Sequence, residues 1–243
     1  ALAIYEASLR PNIKFVPIKT EAQQEILMLH KLRERPMHAR VAATNQLRGL
    51  LADFCLIFPQ GRLAFEKKLS GLLKDDGLRT MISYVIQDVY NEFQSLQSRI
   101  QAIEKKLKKA VDQSPIARLM QTIPGIGYLN ASGFAASIDK GQAFNNARDF
   151  GVWLGLTPKQ HASGEKSKMS GITKRGNEYL RKQLINGARA IVARAAKKND
   201  RLSQWINQLH ARKHFNCTVV ATAHKLARIM WAMLQSQTAY KQV

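Results

Sequence analysis

Residues 82–107, "ISYVIQDVYNEFQSLQSRIQAIEKKL", carry Ile82, Ile86, Val89, Phe93, Leu96, Ile100, Ile103 and Leu107 at spacings that alternate four and three. Apolar residues repeated in this way form a single stripe along a helix, and a stripe of this length needs a second helix to cover it. The covering helix comes either from earlier in the same chain, as an intramolecular hairpin, or from another copy of the chain. The pattern satisfies both.

Upstream, Thr20 and Gln23 form a capping-box pattern that opens a helix with Ile26, Leu27, Leu29 and Leu32 at helical spacing. Pro36 is expected to break or kink it, because proline lacks the amide and clashes with the preceding turn. A second helical pattern runs through Val41, Leu47, Leu50, Leu51 and Phe54 to "FPQG" at Phe58–Gly61. "NIKFVPIK", Asn12–Lys19, is rich in β-formers and predicts one short strand, the only clear one in the chain. Beyond the "DQSP" step at Asp112–Pro115, glycine and basic residues become frequent, and helical patterns return at Asn177–Lys197 and Cys217–Gln235. The expected fold is mainly α: a long helical, coiled-coil connector over 20–113, then a compact helical domain over 114–243, with at most a short N-terminal strand.

The 243 residues are 45% hydrophobic, enough to bury a core, yet 38 Lys and Arg face 17 Asp and Glu for a net charge of +21. A polyanionic partner explains this best, since Lys and Arg that neutralise phosphates release counterions and gain affinity without reading sequence. The chain has no apolar run long enough to span a membrane, so nucleic acid is the expected partner. Cys55 and Cys217 stand among apolar residues and read as buried, reduced thiols of a cytosolic protein. His210 and His214 share a helix face at i, i+4, but no carboxylate or cysteine lies at matching spacing, so no metal site is expected in this chain.

"LMQTIPGIGYLNASGFAASI", Leu119–Ile138, places Pro-Gly-Ile-Gly between two helical patterns. It reads as a helix-hairpin-helix whose Gly125 and Gly127 turn the backbone tightly and aim amides at a DNA phosphate. After a segment whose Phe144, Phe150, Trp153, Leu154 and Leu156 supply core, "LTPKQHASGEKSKMSGITKRG" at Leu156–Gly176 reads as a basic loop. Gly164, Gly171 and Gly176 leave amides accessible, and Lys159, Lys166, Lys168, Lys174 and Arg175 add cations, with Arg181 on the helix that follows. Thr173 is placed to cap that helix. Ser163, Ser167 and Ser170 are equivalent by composition, and neither His161 nor Glu165, each two residues from Ser163, is a compelling base.

"TIPGIG" followed by "FNNARDFGVWLGLTPKQHASGEKSKMSGITKRGNEYLRKQLINGARA" resembles the C-terminal domain of the insertion-sequence-110 family of bacterial transposases, in particular its 1111 subgroup, which is similar to the pilin-gene invertases. "RPMHARVAATNQLRGLLADFCLIFPQGR" is similar to that subgroup's helical connector. The resemblance implies a DNA recombinase in which an N-terminal RuvC-like domain supplies four carboxylates for divalent metal, Mg2+, and the C-terminal domain supplies a serine that forms a covalent phosphoserine link. The family's Ser-Gly pair falls on Ser163-Gly164. The resemblance further implies DNA and a structured guide RNA as partners, a dimer or tetramer formed through the coiled coil, and a cytoplasmic, DNA-associated protein. In the family the last acidic residues precede a segment resembling "ALAIYEA", so residues 1–19 read as the tail of a truncated RuvC-like domain and the chain as inactive alone. A different class of function, a non-catalytic nucleic-acid-binding and oligomerising protein, also fits. A ribosome-associated basic protein fits the charge but leaves the Ser-Gly loop without a role.

Overall fold

A computed structural model describes residues 2–11, 17–74 and 77–241. Ten α-helices and one β-hairpin follow in the order α1 (Leu2–Ser8), α2 (Glu21–Ala52), α3 (Arg62–Leu72), α4 (Thr80–Gln113), α5 (Pro115–Gln121), α6 (Tyr128–Ile138), α7 (Ala147–Trp153), β1 (Pro158–Ser163), β2 (Lys166–Ile172), α8 (Glu178–Val192), α9 (Arg201–His210) and α10 (Phe215–Ser236), among the described residues. The mainly α expectation holds. The strand expected over 12–19 lies, for 12–16, outside the described residues, and Pro17–Lys19 carry no regular structure. The sheet that does form falls inside the stretch read as a basic loop. Lysines, serines and glycines there give no alternation of apolar and polar residues to betray a strand.

The chain forms two compact units, residues 28–107 and residues 1–27 together with 108–243. In the first, the heptad stripe of α4 meets α2 of the same chain. Ile86, Val89, Phe93, Ile100, Ile103 and Leu107 are buried, as are Ala43, Leu47 and Leu51 of α2. The partner pairs run antiparallel: Arg33 Nη2 meets Glu104 Oε1 at 2.7 Å, and Arg40 donates to Gln97. The α3 helix adds Phe65, whose ring centroid lies 5.0 Å from that of Phe58 and 5.9 Å from that of Phe93. Thus the heptad seam is filled intramolecularly.

The capping box forms as read, with the Thr20 amide donating to Gln23 Oε1 at 2.9 Å and the Gln23 amide to Thr20 Oγ1 at 3.3 Å. Pro36 does not break the helix; α2 runs continuously through it, and Pro36 is buried. One lost amide bond is tolerated here because the turns on both sides of it are held by packing against α4. Both cysteines are exposed rather than buried. Cys55 sits in the turn after α2 at φ +60°, and Cys217 on the outward face of α10, so apolar neighbours in sequence did not mean a shared face.

In the second unit α6 is buried almost all round, from Asn130 to Ala136 and again at Ile138. Its small residues Ala131, Ser132, Gly133, Ala135 and Ala136 let neighbouring helices approach closely. Phe134 packs edge-on to Phe150 of α7, and Leu180 and Leu184 of α8 and Leu226 and Met230 of α10 complete the core. No helix among the described residues is long and apolar enough to cross a membrane.

His30, 2% exposed on α2, makes the first unit sensitive to acid. Burial, reinforced by the Arg33 guanidinium, lowers its pKa from 6.5 to about 4. The unfolded chain therefore binds this proton more readily than the native one, and stability falls as pH drops from about 6.5 towards 4, by at most about 3 kcal/mol. Urea unfolding at pH 7 and pH 4.5 checks this: the difference between the two should shrink in His30→Gln.

Candidate nucleic-acid interface

The serine stretch is an antiparallel hairpin in which Ser163 pairs with Lys166, leaving only Gly164 and Glu165 in the connection. Gly164, at φ +57°, supplies the positive φ that a two-residue hairpin turn demands of its first central residue. Opposed residues of an antiparallel pair share a face, as do residues two apart on one strand. Ser163, His161, Lys166 and Lys168 therefore lie on one face, and Gln160, Ala162, Ser167 and Met169 on the other. Across the second face Gln160 Nε2 donates to Ser167 Oγ at 3.1 Å. The register shifts between Pro158 and Gln160, which puts Lys159 at a bulge.

Two consequences were hidden in the sequence. The strand separates Ser163 from Ser167, and it sets His161 beside Ser163, about 6.6 Å away along the strand. Reading the segment as a loop gave no reason to pair them, because the period of two exists only once the strand forms. From Pro158 to Gly171 every hairpin strand residue is exposed, so the hairpin contributes no core.

What positions it is its root. The Thr173 amide donates to the Thr157 carbonyl at 2.8 Å and the Lys174 amide to the Gly155 carbonyl at 3.1 Å, extending the ladder into the helical unit. A Cβ on Gly155 would strike the Arg175 carbonyl oxygen, and one on Gly176 the Trp153 carbonyl oxygen. Gly176, at φ +103°, thus serves a close approach of two backbone segments, whereas Gly164 and Gly171 face open space. Arg181 also belongs to the root and not to the exposed cations: it is buried, and its Nη1 donates to the Leu154 carbonyl at 3.1 Å. The side chains of Lys159, Lys166, Lys168, Lys174 and Arg175 are exposed. Asn177, not Thr173, caps α8, its Oδ1 accepting from the Leu180 amide at 3.0 Å.

The Pro-Gly turn joins α5 to α6. The Ile126 amide donates to the Ile123 carbonyl at 3.1 Å with Gly125 at φ +75°, the conformation of a type II turn. Gly125 lies against α8, where a Cβ would sit 2.8 Å from the Gly187 carbonyl oxygen, so its smallness serves a close backbone crossing. Gly127 caps α6 without a side chain, leaving the first-turn amides without a side-chain partner. Cations reach this turn from elsewhere in the chain: Arg194 and Lys198 join Pro124 and Gly125 around a cavity of about 150 Å³. Sequence reading missed these two because they approach the turn only through the α8 packing.

Among the described residues no three His, Cys, Asp or Glu side chains converge to hold a metal ion. His214 instead caps α10, its Nδ1 accepting from the Asn216 amide at 3.3 Å.

Residues 117–204, which contain the turn, the hairpin and α8, match the Transposase IS116/IS110/IS902 family. The chain is 37% identical to a probable family 20 transposase of Pseudomonas aeruginosa, over 99% of this chain and 72% of the relative. It is 37% identical to the transposase for insertion sequence element IS1111A of Coxiella burnetii, over 99% of this chain and 67% of the relative. With the transposase for IS1328 of Yersinia enterocolitica the identity is 35%, over 99% and 72%. The chain belongs to the IS116/IS110/IS902 transposase family, and its class of work is DNA transposition.

The two kinds of glycine separate experimentally. Gly176→Ala should cost about 2–4 kcal/mol, because a Cβ meets backbone at a positive φ, whereas Gly171→Ala should stay within about 0.5 kcal/mol. Urea denaturation of the two variants gives both numbers.

Proposed function

We propose that this chain is the serine-bearing part of an RNA-guided DNA transposase and that Ser163 is its nucleophile. The observation that carries this reading is the hairpin face itself. It holds Ser163, exposed at the turn, with Lys166 opposite, Lys168 and His161 one pair further down, and the whole anchored by a tight root. A DNA phosphate set on this face would have its non-bridging oxygens near two ammonium groups, which stabilise the charge that develops at phosphorus. Ser163 Oγ attacks phosphorus, an Oγ–P bond forms, and the bond from phosphorus to one deoxyribose oxygen breaks. The serine proton leaves to a base, a task within reach of His161, and the departing oxygen takes up a proton to become a hydroxyl end. Lys159, Lys174 and Arg175, with the α6 start at Gly127 and the turn at Gly125, extend the contact along the backbone.

The Mg2+ and RuvC-like carboxylates implied by the family resemblance meet no fitting donor cluster among the described residues, and no step here passes through a metal. The chain's partners on this reading are DNA and a structured guide RNA in the bacterial cytoplasm. A dimer or tetramer would use surfaces other than the heptad seam, which α2 already covers.

Replacing the serine aligned with Ser163 by Ala in a full-length relative should reduce recombination by at least about 1000-fold while nucleic-acid affinity stays within about threefold. An active variant would remove Ser163 from the chemistry.

A further inference from the structure

We propose that a cavity in the helical unit of residues 28–107, lined by Arg40, Arg48, Arg62 and Gly61, is a second phosphate site that takes a phosphodiester of a nucleic-acid backbone. The cavity measures about 170 Å³, and Val41, Thr44, Asn45 and the Phe65 and Phe93 rings complete its wall. Three guanidiniums line it, and one of them, that of Arg40, also donates to Gln97 where α2 meets α4. Burial, and after it the neighbouring Arg62 charge, pull Arg40 below the ordinary arginine value. Among the described residues the one carboxylate bonded to any of the three is Glu66, which holds Arg62 Nη1 at 3.0 Å.

Arg48 is set in place as a fixed donor. Its guanidinium carbon stands 5.2 Å from the Phe65 ring centroid, and its Nη2 donates to the Pro59 carbonyl at 2.9 Å. Its Nε is buried with no hydrogen-bond partner. The start of α3 adds to the same field. Gly61 caps this helix without a side chain, so the positive end of an 11-residue helix opens beside the arginines. Arginine forks fit the tetrahedral oxygens of a phosphate in pairs, and the aromatic wall limits water that would screen them.

The nucleic-acid reading enters only in the choice of polyanion; the cavity lies in a different unit from the hairpin. DNA and RNA offer the same phosphodiester, and binding of the full 243-residue chain to a DNA duplex and to an RNA hairpin, each across a salt series, separates them. Arg62→Gln is the clean probe, because Arg62 is 46% exposed and serves no core contact. It should weaken binding about threefold or more and reduce the slope of log affinity against log salt by about 0.9 on duplex. Glu66→Gln, which frees Arg62, should tighten it. An effect on duplex alone assigns the site to DNA, on the hairpin RNA alone to RNA, and on both to the shared backbone. Wild-type affinity and slope for both variants on both polymers, with unchanged circular dichroism, would overturn the site. Lys166→Gln/Lys168→Gln in the same assay reports on the β-hairpin separately, so failure of one site does not disguise failure of the other.

Discussion

Backbone crosses backbone between residues 153–155 and 174–176, with Gly155 and Gly176 leaving no room for a Cβ. Everything proposed for the β-hairpin depends on that crossing. A two-stranded ribbon with no buried face has little stability of its own in water. Here two ladder bonds at its base, from Thr173 and Lys174, and the buried guanidinium of Arg181 on the Leu154 carbonyl tie it to the helical core. The positive φ of Lys174, +55°, marks the conformational cost at the same spot, held there by the surrounding structure. An exposed serine can then stand well clear of the core and still be directed by it.

A second crossing, between Gly125 and Gly187, does the same for the turn that joins α5 to α6. It brings Arg194 and Lys198, from beyond α8, together with Asp200 beside a turn with no cation of its own. Part of the chain's positive charge gathers in three places: the hairpin face, this turn, and the three-arginine cavity of the other unit. Each combines cations with backbone geometry that tolerates or invites an anion, which is a different matter from a diffuse positive surface.

The helical half of the fold was legible to the extent that burial obeyed a period. The stripe from Ile82 to Leu107 announced a helix and a covering partner, and Thr20 with Gln23 marked where α2 begins. Local signals misled where packing outweighed them. Pro36 sits inside a continuous helix because α2 is held against α4, and Cys55 is exposed although Phe54 and Leu56 flank it. The hairpin was illegible as β structure because both its faces are polar, so the alternation that reveals strands had nothing to alternate. With it went the shared face of His161 and Ser163, and the separation of Ser163 from Ser167.

By itself the sequence determined a basic, mainly helical chain, the position of its long apolar seam, the Pro-Gly turn, and the stretch in which the serines and lysines lie. These follow from charge, period and the stereochemistry of single residues, which need no knowledge of distant contacts. Tertiary structure alone decided that the seam closes within the chain, that Arg181 and Gly176 are packing residues, and that Arg40, Arg48 and Arg62 meet. The reason is physical: which face of an element is covered, and which side chains from separate helices converge, depends on the path of the whole chain and not on any local stretch of it.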